Sequence, residues 1–135
     1  MLYLGTERNN MKKLISTKNA PEAIGPYSQA ILSNNTLYSS GQIAINPATG
    51  NLVIENITAE TTQVMQNILA VLTASDMDFS NVVKCSIFMK DMNDYAAVNE
   101  VYTKSFGDNP PAREAVQVSV LPKNVNIEIS VIAVK

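Results

Sequence analysis

The sequence predicts an α+β domain in which one mixed, six-stranded sheet carries two helices on one face. Three observations point there. The chain has 135 residues, about the size of one domain. Two segments place apolar residues at helical spacing, and short strand-like runs come in pairs before and after them. The resulting order, β-β-β-α-β-α-β-β, is that of an α+β layer. No repeat, low-complexity tract or linker divides the sequence.

The elements follow in order. Residues 1–10, MLYLGTERNN, match no strand or site pattern and lead into a second methionine, Met11. They are expected to be a disordered extension, with the domain at 11–135; Met11 offers an alternative start of translation, which the sequence leaves open. Residues 11–17 form a short strand, and AIGPYS a loop around Gly25 and Pro26. Strands at 30–33 and 36–40 flank Asn34-Asn35, a two-residue turn that predicts a hairpin. Asn46-Pro47 and Gly50 mark the next loop. Val64, Met65, Ile68, Leu69 and Leu72 predict a helix over 57–75, with Thr58 as its cap and Glu60 suited to the positive end of its dipole. Asp76 then falls near the C-cap, where Gly is preferred. A strand at 82–89 precedes a second helix at 93–106, capped by Asp91. Strands at 112–121 and 126–134 close the chain.

Composition excludes several classes. The formal charge is −2 and the pI about 5.0, so no basic field attracts a phosphate backbone, and nucleic acid is not expected as a partner. No run of about 18 apolar residues predicts a membrane span, and no secretory signal opens the chain, so the expected location is the cytoplasm. The single cysteine, Cys85, excludes an internal disulfide or a multi-thiolate metal site. It alternates with Val83, Ile87 and Met89, which makes it a core residue rather than a nucleophile, with Lys84 a structural residue on the other face. Zero histidines exclude imidazole-based catalysis and His-ligated zinc. The chemistry that remains must come from carboxylates, hydroxyls, Arg, Lys, backbone amides or bound water. Charged residues make up only 16% against a typical figure of about 25%, which suggests that another copy of the chain covers part of the surface.

Alternation in the last two strands marks candidate residues. Val116, Val118 and Val120 form one apolar set, opposed by Arg113, Ala115, Gln117 and Ser119. In the final strand Ile127, Ile129, Val131 and Ala133 are opposed by Glu128 and Ser130. If both apolar sets meet the helices, Arg113 and Glu128 share the other face, which suits self-association. The plain alternative is a solvated face with a chance Arg and Glu. On the second helix Met92, Tyr95, Ala96, Tyr102 and Phe106 form a stripe that includes Asn99. A buried amide there needs partners, because an unsatisfied polar group costs about 1–3 kcal/mol.

Four ordered segments carry a family resemblance: NAPEAIGPYSQA, LYSSGQIAINPATG, KDMNDYAAVNEVY and PPAREAVQVSVLPKNVNIEISVIAV. From about Lys13 to Val134 the sequence resembles the Rid family of reactive-intermediate deaminases, and specifically its RidA branch. The resemblance implies a chorismate-mutase-like subunit and a homotrimer with inward-facing sheets and sites in clefts between subunits. It matches Tyr27 to the family's loop tyrosine, Ser40 and Gly41 to its Ser-Gly pair, and Asn99 to its helix asparagine. Arg113 corresponds to the substrate arginine and Glu128 to the late-strand glutamate. Ala115 departs from the cysteine that many members carry two residues after the arginine, so thiol chemistry is not available there.

The implied reaction is hydrolysis of small 2-enamino and 2-imino acids, such as 2-aminoacrylate and 2-iminobutanoate, to 2-keto acids and ammonia. That reaction implies neither a metal nor an organic cofactor, and the residue types suit it. Arg113 offers a planar fork for a carboxylate, Glu128 a group to position or activate water, and Gly41 close backbone approach. Tyr27 would close the pocket over the substrate and lend its hydroxyl. Two other readings stand beside the enzyme. One is a trimer that binds small carboxylates without turnover and acts through a partner protein; the other is RNA binding or cleavage, which the acidic pI opposes.

Removal of residues 1–10 is expected to leave melting temperature and activity unchanged. Thermal denaturation of the shortened chain checks this, and a large drop in melting temperature would show that the segment packs.

Overall fold

The computed structural model describes residues 12–135, so the expectations for 1–10 and for Met11 lie outside the described residues. Three short antiparallel strands open the fold: β1 (Lys13–Ile15), β2 (Ala30–Ser33) and β3 (Thr36–Ser39). Asn34 and Asn35 join β2 to β3 with φ of 49° and 65°, the pair of left-handed residues that a tight type I′ hairpin requires. Helix α1 (Ile57–Thr73), strand β4 (Val82–Met89), helix α2 (Tyr95–Phe106), and strands β5 (Ala112–Gln117) and β6 (Ile127–Val134) follow. The sheet order is β1-β2-β3-β6-β4-β5, and only the β4–β5 pair, joined through α2, is parallel. The mixed six-stranded sheet with its two helices is the fold read from the sequence. Among the described residues no helix is long and apolar enough to cross a membrane.

Local chemistry sets the helix ends. The α1 cap is Asn56, whose Oδ1 accepts from the Ala59 backbone N–H at 2.8 Å; Thr58 is already helical. At the other end Met77 N–H donates to Leu72 O and Asp76 N–H to Thr73 O, both at 3.0 Å. This Schellman pattern puts Asp76 at φ 56°. Asp91 caps as expected, but what it caps is a single 3₁₀ turn, Met92–Asp94, that leads into α2. The last strands are also shorter than 112–121 and 126–134, because the chain between them turns at Pro122–Asn124.

The core lies between the helices and one sheet face. Val64, Ile68, Val71 and Leu72 of α1 and Val98, Val101 and Tyr102 of α2 meet Cys85, Ile87, Met89, Ile127, Ile129 and Val131. Each fully buried Ile or Leu contributes about 1.5–3 kcal/mol. Cys85 is a core residue, as its alternation indicates. Leu69, expected in the α1 stripe, is 38% exposed, and Val71 takes that place.

Two face assignments are corrected. Strand β5 pairs in parallel register with β4 so that Arg113 lies beside Cys85 and Ala115 beside Ile87. Both core partners face the helices, so Arg113 and Ala115 do too, while Val116 and Val120 are exposed. The β5 faces are therefore the reverse of the expectation. In β6 the expectation holds: Ile127, Ile129, Val131 and Ala133 are buried, and Glu128 stands on the open face. Arg113 and Glu128 thus occupy opposite sides of the sheet. Met92, in the 3₁₀ turn, and Tyr95 and Ala96, at the start of α2, are exposed, and Tyr95, Asn99 and Tyr102 face Arg113.

The Asp76→Gly substitution is expected to stabilise the fold by about 0.5–1 kcal/mol, because glycine adopts the left-handed conformation without steric cost. A rise of a few degrees in melting temperature checks it.

Candidate active site

Two half-sites emerge, one built around Glu128 and one around Arg113. The first depends on how the chain passes β6. Gln42 N–H donates to Ile129 O at 2.8 Å and Ile129 N–H to Gln42 O at 3.1 Å, which sets Gly41 directly beside Glu128. A Cβ on Gly41 would sit 2.6 Å from Glu128 Cδ and 2.9 Å from Cγ, so only glycine permits this approach. Ser40 donates its hydroxyl to Ser28 O, and its N–H donates to Gln29 O at 2.9 Å. Tyr27, half exposed, stands on the strap that leads to Ser28. These residues line one cleft of about 450 Å³ with Pro21, Ile24 and Ile45.

Buried amides that the sequence reading passed over hold this cleft in place. Gln29 is buried, accepts from Thr17 N–H at 2.7 Å and donates to Pro21 O at 2.7 Å, closing the strap at its base. Asn67 on α1, fully buried, donates to Ile43 O and Ile45 O at 3.0 Å each. A polar residue at an apolar helical position is the one signal by which the sequence could have marked Asn67.

Glu128 itself is half-buried, and burial raises its pKa above the free value of 4.5. Among the described residues none donates a hydrogen bond to its carboxylate, so nothing offsets the desolvation.

The second half-site sits at the β5 edge. Arg113 donates from NH1 to Asn99 Oδ1 at 2.8 Å and from NH2 to the Tyr95 hydroxyl at 2.8 Å. Its Cζ lies 4.7 Å from the centroid of the Tyr102 ring, within cation–π range. Tyr102 is buried, its hydroxyl without a hydrogen-bond partner among the described residues, and burial, with the Cys85 thiol beside it, pushes its pKa up. Among the described residues no carboxylate lies within ion-pair distance of Arg113. Two of its five N–H groups are engaged and three remain, enough for one bidentate carboxylate. A second cleft, lined by Asn99, Tyr102, Phe106, Pro110, Pro111 and Arg113, opens beside it.

The structure therefore brings together Tyr27, Ser40, Gly41 and Glu128 in one cleft and Asn99 with Arg113 in another. It does not bring the two groups together within a subunit.

Fold and site define a class of small α+β subunit: a guanidinium held by neutral oxygens on one side of the sheet and a half-buried carboxylate on the other. Residues 17–135 match the family described as Endoribonuclease L-PSP, and the chain belongs to that family. A RutC family protein of Pyrococcus horikoshii is 52% identical over 125 residues, which cover 93% of this chain and 99% of that protein. A Capra hircus protein named 2-iminobutanoate/2-iminopropanoate deaminase is 47% identical over 125 residues, 93% of this chain and 91% of its own. Among solved structures, a Yersinia pestis protein of unknown function from the conserved Rid protein family is similar with a TM-score of 0.89. It is 50% identical and covers 92% of this chain and 99% of its own. The Rid resemblance of the four sequence segments extends over the whole domain.

Because burial raises the Glu128 pKa, folding favours its protonated form. The stability this contributes is complete below pH 4.5 and is lost as pH rises through the raised folded value. Glu128→Gln, uncharged throughout, is expected to be more stable than the parent near about pH 7–8, with the advantage vanishing below the free carboxyl pKa. Urea denaturation across that pH range checks the sign.

Proposed function

We propose that this protein hydrolyses small 2-imino and 2-enamino acids to 2-keto acids and ammonia, at sites assembled between subunits of a homotrimer. The observation that carries the reading is the Arg113 guanidinium. It is fixed by two neutral oxygens at 2.8 Å each, with no carboxylate partner among the described residues. Such a group is an anion holder with its charge uncancelled, and the deaminase named above is 47% identical to this chain.

The inter-subunit site follows from placement. The sheet face away from the helices carries Tyr38, Val116 and Val134, each exposed. A face of this composition suits another copy of the chain, and pairing copies through it would let Glu128 of one subunit approach Arg113 of the next. In that cleft Arg113 holds the substrate carboxylate bidentately and Asn99 holds Arg113. Gly41 and Ser40 present backbone groups at close range, and Tyr27 covers the substrate.

The chemistry asks little of the protein. Water adds to the imine carbon, its oxygen forming the new C–O bond as the C=N double bond becomes single. Glu128 takes a proton from that water and passes it to nitrogen, which gives a carbinolamine. The remaining hydroxyl proton then moves to nitrogen by the same carboxylate as the C–N bond breaks, so that ammonia leaves and the carbonyl forms. General acid–base help of this kind is worth about 10²–10⁴-fold. The substrates are products of pyridoxal-phosphate dehydratases acting on serine and threonine, and the proposed setting is damage control in the cytoplasm. The family description includes RNA cleavage, but the net charge of −2 offers no field for a phosphate backbone.

The test couples threonine dehydratase to the purified protein and follows loss of 2-iminobutanoate by semicarbazone trapping. Arg113→Ala is expected to cost about 2–4 kcal/mol, roughly 10²–10³-fold in kcat/KM, while the protein stays trimeric by light scattering. Arg113→Lys recovers only part, because the charge returns without the fork. Glu128→Gln separates the enzyme from a binding trimer: an enzyme loses turnover but still binds pyruvate, whereas a binder shows no turnover before or after the change. A folded, trimeric Arg113→Ala protein that clears the imine as fast as its parent would overturn the site.

A further inference from the structure

The NH2 arm of Arg113 rests on a hydroxyl that neither the sequence patterning nor the family resemblance singled out for that role, that of Tyr95. We propose that Tyr95 is a positioning residue that fixes the plane of the Arg113 guanidinium and so sets the orientation in which a substrate carboxylate is held. The inference rests on the deaminase reading above and adds to it a residue that acts through Arg113.

Helix geometry places the contact. Tyr95 and Asn99 are four residues apart, so their side chains share one face of α2, one turn above the other. That face is locked over β5 at its start, where Met92 N–H donates to the Gln117 side-chain oxygen at 2.9 Å. Asn99 takes NH1 and Tyr95 takes NH2, each at 2.8 Å. The Tyr102 ring lies against the guanidinium, 4.7 Å from Cζ, and the Tyr95 ring 5.5 Å from it. With one terminal nitrogen held, the guanidinium can still swing about that contact. With both held and a ring against it, its plane is defined. A carboxylate bound by a fork feels that plane directly, because two parallel N–H···O bonds lose alignment together.

Tyr95 is 39% exposed, so water would hydrate its hydroxyl if Arg113 did not. That separates a positioning role from a stabilising one. Tyr95→Phe keeps the ring and its cation–π contact and removes only the oxygen, so the fold should not change.

The experiment compares the parent, Tyr95→Phe, Arg113→Lys and the double variant as full-length proteins. The expected result for Tyr95→Phe is an unchanged melting temperature and KM for 2-iminobutanoate raised about fivefold, from loss of one hydrogen bond to a charged group. kcat should change less than about twofold, since Arg113 holds the carboxylate alike in ground and transition states. Guanidinium ¹⁵N NMR should show faster rotation of the Arg113 Nη groups. In the Arg113→Lys background the second change should have almost no effect on KM, because no NH2 arm remains to hold. Effects that simply add, or Arg113 resonances that do not respond to Tyr95→Phe, would overturn the proposal. If the parent itself does not hydrolyse the imine, the deaminase reading fails, and the NMR comparison alone decides whether Tyr95 holds the guanidinium.

Discussion

A buried glutamate side chain without an ion-pair partner among the described residues organises the middle of this fold. Glu60, in the first turn of α1, is fully buried. Its oxygens accept from Asn126 N–H at 2.8 Å, Asn126 Nδ2 at 2.7 Å and Ile127 N–H at 3.2 Å. A buried polar group costs free energy unless its hydrogen-bonding capacity is met, and here three donors meet it. The contact spans 66 residues of sequence and ties the start of α1 to the start of β6. Strand β6 is central to the sheet, paired with β3 on one side and β4 on the other. Fixing its first residues fixes the register in which Glu128, two positions beyond Asn126, reaches its cleft.

The same logic of neutral partners recurs at the site. Among the described residues neither Arg113 nor Glu128 has an ion-pair partner, one being held by an amide and a phenol, the other set against a glycine backbone. With β5 facing as it does, the two lie on opposite faces of the sheet and three residues out of register, beyond reach of each other within one chain. A paired guanidinium offers little to an incoming carboxylate, and a paired carboxylate is held down in pKa rather than raised. Their separation across the sheet keeps both groups available.

What the sequence disclosed and what it hid divide along range of contact. The Asn34-Asn35 hairpin, the α1 stripe, the Asp91 cap and the alternation of β6 are local patterns, and each was legible. The β5 faces were not. Val116, Val118 and Val120 alternate as a core face would, yet pairing beside Cys85 and Ile87 turns Arg113 and Ala115 toward the helices. Apolar alternation records that a face is covered without saying by what, and a face covered by another subunit reads the same as one covered by helices. Glu60 shows the converse. Its position suggested a dipole effect worth a few tenths of a kcal/mol, while its main role depends on a strand that sequence proximity cannot reveal.

Site residues were legible to the extent that chemistry singles out residue types. Arg113, Asn99 and Glu128 stand out because a charge or an amide within an apolar pattern calls for a reason, and Tyr27, Ser40 and Gly41 came from the family resemblance. The residues that hold them were read as structure: Tyr95 and Tyr102 as an apolar stripe, Gln29 and Asn67 not at all. Yet these decide geometry. Gly41 matters because a Cβ there would strike Glu128, and Gln42 places Gly41 because it pairs with Ile129, the residue next to Glu128. A glutamate alone in a cleft is a common feature. One whose next residue is pinned by two hydrogen bonds to the residue after Gly41, and whose burial favours its protonated form, depends on the pairing of β6 with that distant segment, which no local pattern could show.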